Sequence, residues 1–347
     1  MNLHAYFSYP IIQGPMAGGA STPELVAAVS NAGGLGSLAL SLLTPEVMQT
    51  QIARVRALTT QPFALNLFIQ KTPQPSAEVV ARAAELLKPV WSSLGWQELP
   101  LPTKWCEDFE AQFDVLVAAA PAVASFTFGI LNVAHVERLH AAGIFVIGTV
   151  TTVAEGLAWQ AVGADAVIAS GVESGGHRGT FLGPQEDATL ATAELLTQMV
   201  AALNIPVISA GGIMRGADIA RLLALGASAV QMGTAFLVSD EAGIHPAYKQ
   251  RLLNAGDHPT RLTRAFSGRY ARGLVNRFMD IMEPLESQVP AYPVQNALTG
   301  VIRAAGAKAG DTEFMSLWAG TGVSLARGMP AAQLVQTLVA EWKAAAQ

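Results

Sequence analysis

The chain is 347 residues long, 51% hydrophobic and only 14% charged, a balance that excludes intrinsic disorder, in which low hydrophobicity goes with high charge. Its 21 Lys and Arg against 26 Asp and Glu give a formal net charge of -5, so no general cationic field exists to hold a phosphate backbone and nucleic acid is not an expected partner. The single cysteine, Cys106, can form neither an intrachain disulfide nor a multi-thiolate metal site and reads as a small buried hydrophobe.

The opening segment MNLHAYFSYP has neither a basic start nor an apolar run of signal-peptide length, which points to a cytoplasmic protein. From there, short apolar runs rich in β-branched residues alternate with longer helical patterns. The runs at 10–12, 34–38, 63–66, 123–126, 145–149, 166–170, 207–210 and 229–232 predict eight strands. A helix over 22–31 opens with Ser21 or Thr22 as its cap, carries Glu24 in its first turn and ends at Gly33 and Gly34; another over 217–225 is closed by Gly226. The uncharged span 115–134 contains Pro121, Ser125, Thr127, Gly129 and Asn132, so a helix end, a turn and a buried strand explain it better than a membrane crossing.

Eight parallel strands, each followed by a helix and confined to 1–240, match an α/β fold of the TIM-barrel type, (β/α)8. The alternative is a doubly wound open sheet, which advertises dinucleotide binding by G-x-G-x-x-G after its first strand; here the first strand runs into Gln13-Gly14-Pro15-Met16-Ala17-Gly18-Gly19 instead. Two parts break the repeat. Residues 71–113, with Pro73, Pro75, Pro100 and Pro102 and the tryptophans Trp91, Trp96 and Trp105, predict a helical insertion over one barrel rim. Beyond residue 240 the alternation stops, and 241–347 predict a helical C-terminal cap that takes part in substrate binding. No heptad or apolar seam decides between a monomer and a homodimer.

Catalytic groups of such a barrel sit at the C-terminal ends of its strands, and a phosphate commonly lies at the loops after strands seven and eight. Those loops read Ala210-Gly211-Gly212-Ile213 and Gln231-Met232-Gly233-Thr234. Their glycines either only make tight turns or let backbone amides reach an anion, with a Thr234 hydroxyl and a following helix N-terminus to help; both loops carrying the feature favours a phosphate-bearing cofactor. The first loop, 13–19, is either a tight turn or a small-residue surface for a planar ring, with Met16 as a soft contact. After strand six comes Glu173-Ser174-Gly175-Gly176-His177-Arg178-Gly179. A histidine so flanked by glycines is expected in a loop at the active rim, kept neutral by Arg178 through like-charge repulsion. His135 and His140 are wrongly spaced for a metal pair on a helix and, with His4, His245 and His258, read as structural or surface residues; no metal site is expected. Arg261, Arg264, Arg269, Arg272 and Arg277 form either a solvated, salt-bridged face or contacts to an anionic ligand.

Taken together, QGPMAGG at 13–19, NAGGLG at 31–36, ESGGHRG at 173–179, AGGI at 210–213, LGASAVQMGTAFL at 225–237, SGRYARGLVNRF at 267–278 and LWAGTG at 317–322 resemble the class I nitronate monooxygenases, in order and over nearly the whole chain. The resemblance implies an FMN-dependent barrel that oxidises alkyl nitronates, propionate 3-nitronate foremost, with O2 to a carbonyl compound and nitrite. It implies flavin contacts from Met16, Asn66, Gly175, Gly212, Gln231, Met232, Gly233 and Thr234, and His177 as the catalytic residue. Ser170 stands where the family carries glutamine, implying a shorter or water-mediated flavin contact. Thr127 stands where many relatives have histidine, and the stretch after Tyr292 lacks a further tyrosine and lysine, so Thr127 and Tyr292 are expected at the substrate. A reductase using NAD(P)H, acting on quinones or enoyl thioesters, is the alternative on the same barrel.

Overall fold

Short strands buried on both faces generate the architecture. In the computed structural model, which describes residues 2–257 and 259–347, six strands run in sequence as β1 (Ile11–Gln13), β2 (Gly36–Ala39), β3 (Phe63–Phe68), β4 (Val123–Thr127), β5 (Phe145–Val150) and β6 (Ala166–Ser170). A two-residue strand, β7 (Gly176–His177), lies outside this sheet, which resumes with β8 (Val207–Ala210) and β9 (Ala229–Met232). All the barrel pairings are parallel, in the order β1-β9-β8-β6-β5-β4-β3-β2. The remaining gap is bridged where Leu35 N donates to Ile11 O and Gln13 N donates to Leu35 O, each at 2.9 Å. Every predicted strand is present, shifted by at most two residues at either end.

Neighbouring strand residues point to opposite faces. Ile12, Ile147 and Ile168 join Phe145, Val123 and Ile208 in one apolar cluster, whereas Ile11, Val146 and Val167 join helix residues such as Leu25, Leu139 and Trp159 in another. Both faces are buried, which is why the strands read as continuous apolar runs rather than as alternation. The expected cap starts the first helix, where Thr22 Oγ1 accepts from Leu25 N at 3.0 Å, and Asn132 Oδ1 likewise accepts from His135 N at 2.9 Å.

The insertion folds as helices Ala77–Leu86 and Lys88–Ser93. Its Leu87, Val90 and Trp91 share a separate core with Phe266, Phe278, Leu298 and Ile302 from beyond the barrel. That cap is helical at Pro246–Leu253, Arg277–Met282 and Val294–Ala309, and it also contains strand structure in the arginine-rich stretch, which the helical reading did not anticipate. Strands β10 (Thr260–Thr263) and β11 (Ala271–Leu274) pair antiparallel, and β11 pairs with β7. The last helix, Ala331–Ala345, returns to the barrel, where Gly216 N donates to Glu341 Oε2 at 2.8 Å. Cys106 is partly exposed, 3.7 Å from Thr72 Oγ1, and so departs from the buried-hydrophobe expectation. No helix among the described residues is long and apolar enough to cross a membrane.

Candidate active site

The C-terminal ends of the barrel strands open into a cavity of about 660 Å³, within the usual range for small-molecule and cofactor sites. Every residue expected at the flavin, the substrate or the catalytic position borders it. Met16 comes from the loop after β1, Asn66 from β3, Thr127 from β4 and Ser170 from the end of β6. Gly175 and His177 follow on the β6 excursion, Gly212 follows β8, and Gln231, Met232, Gly233 and Thr234 close the circle at β9. Tyr292 reaches in from the cap.

The glycine loops form one wall. Gly211 and Gly212 hold φ of 120° and 68°, a region costly for a residue with a Cβ. The amides of Gly212, Ile213, Gly233 and Thr234 make no hydrogen bond to another described residue. Thr234 Oγ1 accepts from Gly320 N at 3.0 Å, which leaves its own proton free to donate. The LWAGTG segment lies directly across the histidine loop: a Cβ on Gly175 would collide with the Gly320 amide, and one on Gly320 would sit 2.6 Å from Glu173 O. The last barrel loops thus present a set of free backbone donors. The helix Gly216–Ala224 begins several residues after the first of them, and only the short turn Thr234–Leu237 follows the second.

The opposite wall is built around His177. It sits in β7, not in a free loop, paired with Ala271 of β11, so the arginine-rich segment fixes its backbone. Its Nε2 lies 2.9 Å from Ser267 Oγ. Ser267 has one proton, which goes to Arg269 O at 2.9 Å, while Arg269 N donates back at 3.3 Å. With the serine proton assigned to Arg269 O, the remaining lone pair accepts from His177, an assignment that puts the imidazole proton on Nε2 and leaves Nδ1 as the basic nitrogen. Phe128, Tyr292 and Trp318 surround the ring at centroid distances of 5.4, 5.8 and 5.5 Å. Phe128 itself holds a φ of 78°, an outlier for a bulky residue.

Burial, then the charges of Arg269 and Arg303, push the His177 pKa down to about 3. The ring keeps some accessible surface, the pattern of a group that borders a cavity deep in the protein. The expected neutral state is therefore reached, but not through Arg178. That side chain is buried on the far side of the backbone, donating to Gly171 O and Ala188 O at 2.5 and 3.0 Å. Arg269 holds the histidine loop instead, donating to Arg178 O at 2.9 Å and to Thr180 O, with its guanidinium 4.3 Å from the Phe128 ring centroid.

None of the arginines of that stretch, Arg269 included, borders the cavity. Arg261 pairs with Asp280 and Glu283, and Arg272 donates to Val172 O. Sequence reasoning missed Arg303, Asn296, Ser267 and Trp318. Ser267 and Trp318 lie inside motifs already singled out, whereas Arg303 and Asn296 sit on a helix whose only signal is their spacing. Ser170 Oγ donates to Ser174 Oγ at 2.9 Å, and Thr127 Oγ1 lies 3.4 Å from both Asn66 Nδ2 and Thr149 Oγ1. Of the remaining histidines, His140 pairs with Asp165, His135 with Glu110, and His245 caps the helix Pro246–Leu253 while bordering the cavity. His258 lies outside the described residues.

Comparison with known proteins gives the family. Residues 2–341 match the family Nitronate monooxygenase. A probable nitronate monooxygenase of Staphylococcus aureus is 39% identical over 332 residues, 95% of this chain and 93% of that one. The structure of a nitroalkane oxidase from Streptomyces ansochromogenes is 45% identical, covers 99% of this chain and 98% of its own, and superposes with a TM-score of 0.92. FabK from Thermotoga maritima, at 30% identity, covers 97% of this chain and 94% of its own with a TM-score of 0.76. The chain belongs to the nitronate monooxygenase family and is an enzyme of that family.

Proposed function

We propose that this enzyme binds FMN and oxidises alkyl nitronates, propionate 3-nitronate among them, with O2 to a carbonyl compound and nitrite. The carrying observation is the pairing, in one cavity, of a wall of free backbone donors with a neutral histidine whose Nδ1 is basic. The donor set fits a phosphate-bearing flavin: the amides of Gly212, Ile213, Gly233 and Thr234 would hold the phosphate. Met16, Gly175 and Gln231 would border the ring system, where absent or flexible side chains leave room. Ser170, Asn66 and Met232 border the same cavity, Asn66 with its Nδ2 spent on Ser125 O at 3.1 Å and its Oδ1 free. FMN, when bound, supplies the electron transfer between nitronate and oxygen; the protein supplies orientation and charge.

The chain's own part follows from His177. A preformed nitronate needs no deprotonation, and Nδ1 then has only to face it. A neutral nitroalkane must lose its α-proton, and Nδ1 takes it as general base. The imidazolium so formed stands beside Arg269 and Arg303, so it is tolerated only while the new nitronate charge remains next to it. The rings of Phe128, Tyr292 and Trp318 shield that ion pair from water.

The test is oxygen uptake and nitrite release by the purified protein with propionate 3-nitronate, beside anaerobic mixing with NADH and NADPH. Fast uptake without nicotinamide is expected. An inert nitronate together with bleaching of the flavin by NAD(P)H would move the function to the reductase alternative. His177→Asn is expected to lose turnover of neutral nitroalkanes far more than turnover of nitronates.

A further inference from the structure

The helix Val294–Ala309 lays Asn296, Arg303, Ala304 and Ala307 along the cavity. Steps of seven and four put Asn296, Arg303 and Ala307 on one face. The Arg303 stem runs back past Gly300, where a Cβ would stand 3.9 Å from Nη2. Nη2 then donates to Asn296 O at 2.7 Å and to Asn296 Oδ1 at 2.9 Å. Asn296 thus fixes the guanidinium from one side only. Nε is buried without a partner, and Nη1 has no hydrogen-bond partner among the described residues.

Other arginines of the chain have their charge or donors answered. Arg54, Arg138, Arg261 and Arg327 pair with carboxylates, and the buried Arg178 and Arg269 each donate to main-chain carbonyls. Arg303 has neither an acidic partner nor a full set of acceptors. It is also the one Lys or Arg among the described residues bordering the cavity, and no Asp or Glu borders it. A partly buried cation with unused donors facing a cavity is best completed by an anion. His177 and Arg303 share no hydrogen-bond partner, which leaves each free to face its own group of one ligand.

We infer that Arg303, held by Asn296, receives a carboxylate carried by the substrate, making it the residue that selects nitronates with a second anion at the far end of a short chain. This rests on the nitronate reading above. Guanidinium suits the task because it stays charged and offers donors in a fixed plane. The apolar side of the same helix, Ala304 and Ala307, leaves space beside it without competing acceptors.

The test compares propionate 3-nitronate with propyl-1-nitronate, the same chain length with and without the carboxylate, in the FMN-loaded wild type, Arg303→Met, Arg303→Lys and Asn296→Ala. Preformed nitronates keep the base role of His177 out of the comparison. In Arg303→Met the ratio of kcat/KM for the charged over the uncharged substrate is expected to fall by about 30-fold, mainly through KM. Arg303→Lys is expected to keep part of the preference, and Asn296→Ala to lower it less than Arg303→Met does. An unchanged ratio overturns the proposal, as does release of FMN by Arg303→Met, which would assign the arginine to the cofactor. Calorimetric titration with succinate, which cannot be oxidised here, gives a second readout, with binding expected in the wild type and lost in Arg303→Met. If neither nitronate is oxidised but succinate binds through Arg303, the oxidation reading fails and the carboxylate site stands. If both nitronates are oxidised equally well and succinate does not bind, the reverse holds.

Discussion

Ser267→Ala isolates the histidine's orientation from its chemistry. The substitution removes the one acceptor of the His177 Nε2 proton, a contact of 2.9 Å, and leaves a buried N–H without a partner. Such a loss costs about 1–3 kcal/mol. The ring can recover part of it by moving its proton to Nδ1, the nitrogen that must be unprotonated to act as a base. A penalty of about 1.4–2.8 kcal/mol on the reactive tautomer corresponds to about 10- to 100-fold in rate. That loss is expected in kcat/KM for neutral nitroalkanes, followed in an oxygen electrode, with preformed nitronates losing only a few-fold. The turn itself also loses hydrogen bonds from Ser267 to Arg269, so a lowered Tm is expected for both substrates alike. Ser267→Thr keeps the hydroxyl and should restore the split. Equal losses on nitroalkane and nitronate would show that Ser267 only supports the fold, and the tautomer argument would be wrong.

Acid stability offers an independent check. His177 titrates near 3 in the folded protein against an ordinary value of about 6.5, so between those limits the unfolded chain binds the extra proton and stability falls as pH falls, by up to about 1.4 kcal/mol per pH unit. His177→Asn removes this component, and urea titrations at pH 7 and pH 4.5 should show a smaller drop than in the wild type; an identical drop would refute the burial argument. Gly212→Ala forces a Cβ onto a φ of 68° and to 3.2 Å from Glu173 Cβ; FMN content and affinity, read by flavin fluorescence, should fall by at least about 10-fold, while unchanged flavin binding would remove this loop from the cofactor site. Gly148→Ala drives a methyl into the ring of the fully buried Trp159 and is expected to cost about 3 kcal/mol in a denaturation midpoint without altering selectivity between substrates. A change below about 0.5 kcal/mol would mean that the barrel wall yields there.

The barrel was legible because its signals are local. Each strand is a continuous apolar run buried on both faces, and the first helix announces itself with its cap, Thr22. The glycine wall was legible for the same reason: the strand ends and their glycines are adjacent in sequence, so Gly212 and Gly233 fall where the fold puts them. What sequence could not supply is the pairing between distant segments. His177 sits in a strand only because Ala271, ninety-four positions on, pairs with it, and a two-residue strand has no periodicity to read. The neutralising charge was assigned to Arg178 because it is next in sequence, yet adjacent residues on a strand face opposite ways, and the cations acting on the ring are Arg269 and Arg303. Arg303 and Asn296 lie on an ordinary amphipathic helix, where nothing but the shape of the cavity distinguishes a ligand-facing arginine from a solvated one.

These pairings explain how one site reconciles a base with a cationic surrounding. Two arginines near an imidazole would ordinarily make it a poor base, since each disfavours the proton it must accept. Under the proposed function the field of the same two charges would favour the nitronate that proton transfer creates. Base and product would then be coupled: the proton would move onto Nδ1 only as the substrate's oxygens become anionic beside it, and would not be retained when they leave. Ser267 fixes which nitrogen takes the proton, and Arg269 fixes Ser267 while adding to the field. A substrate that arrives already charged avoids the costly step altogether, and an enzyme so arranged should favour preformed nitronates over neutral nitroalkanes at every pH above the histidine's own titration. The preference should narrow when Arg269 or Arg303 is neutralised, because the base then strengthens as the hold on the anion weakens.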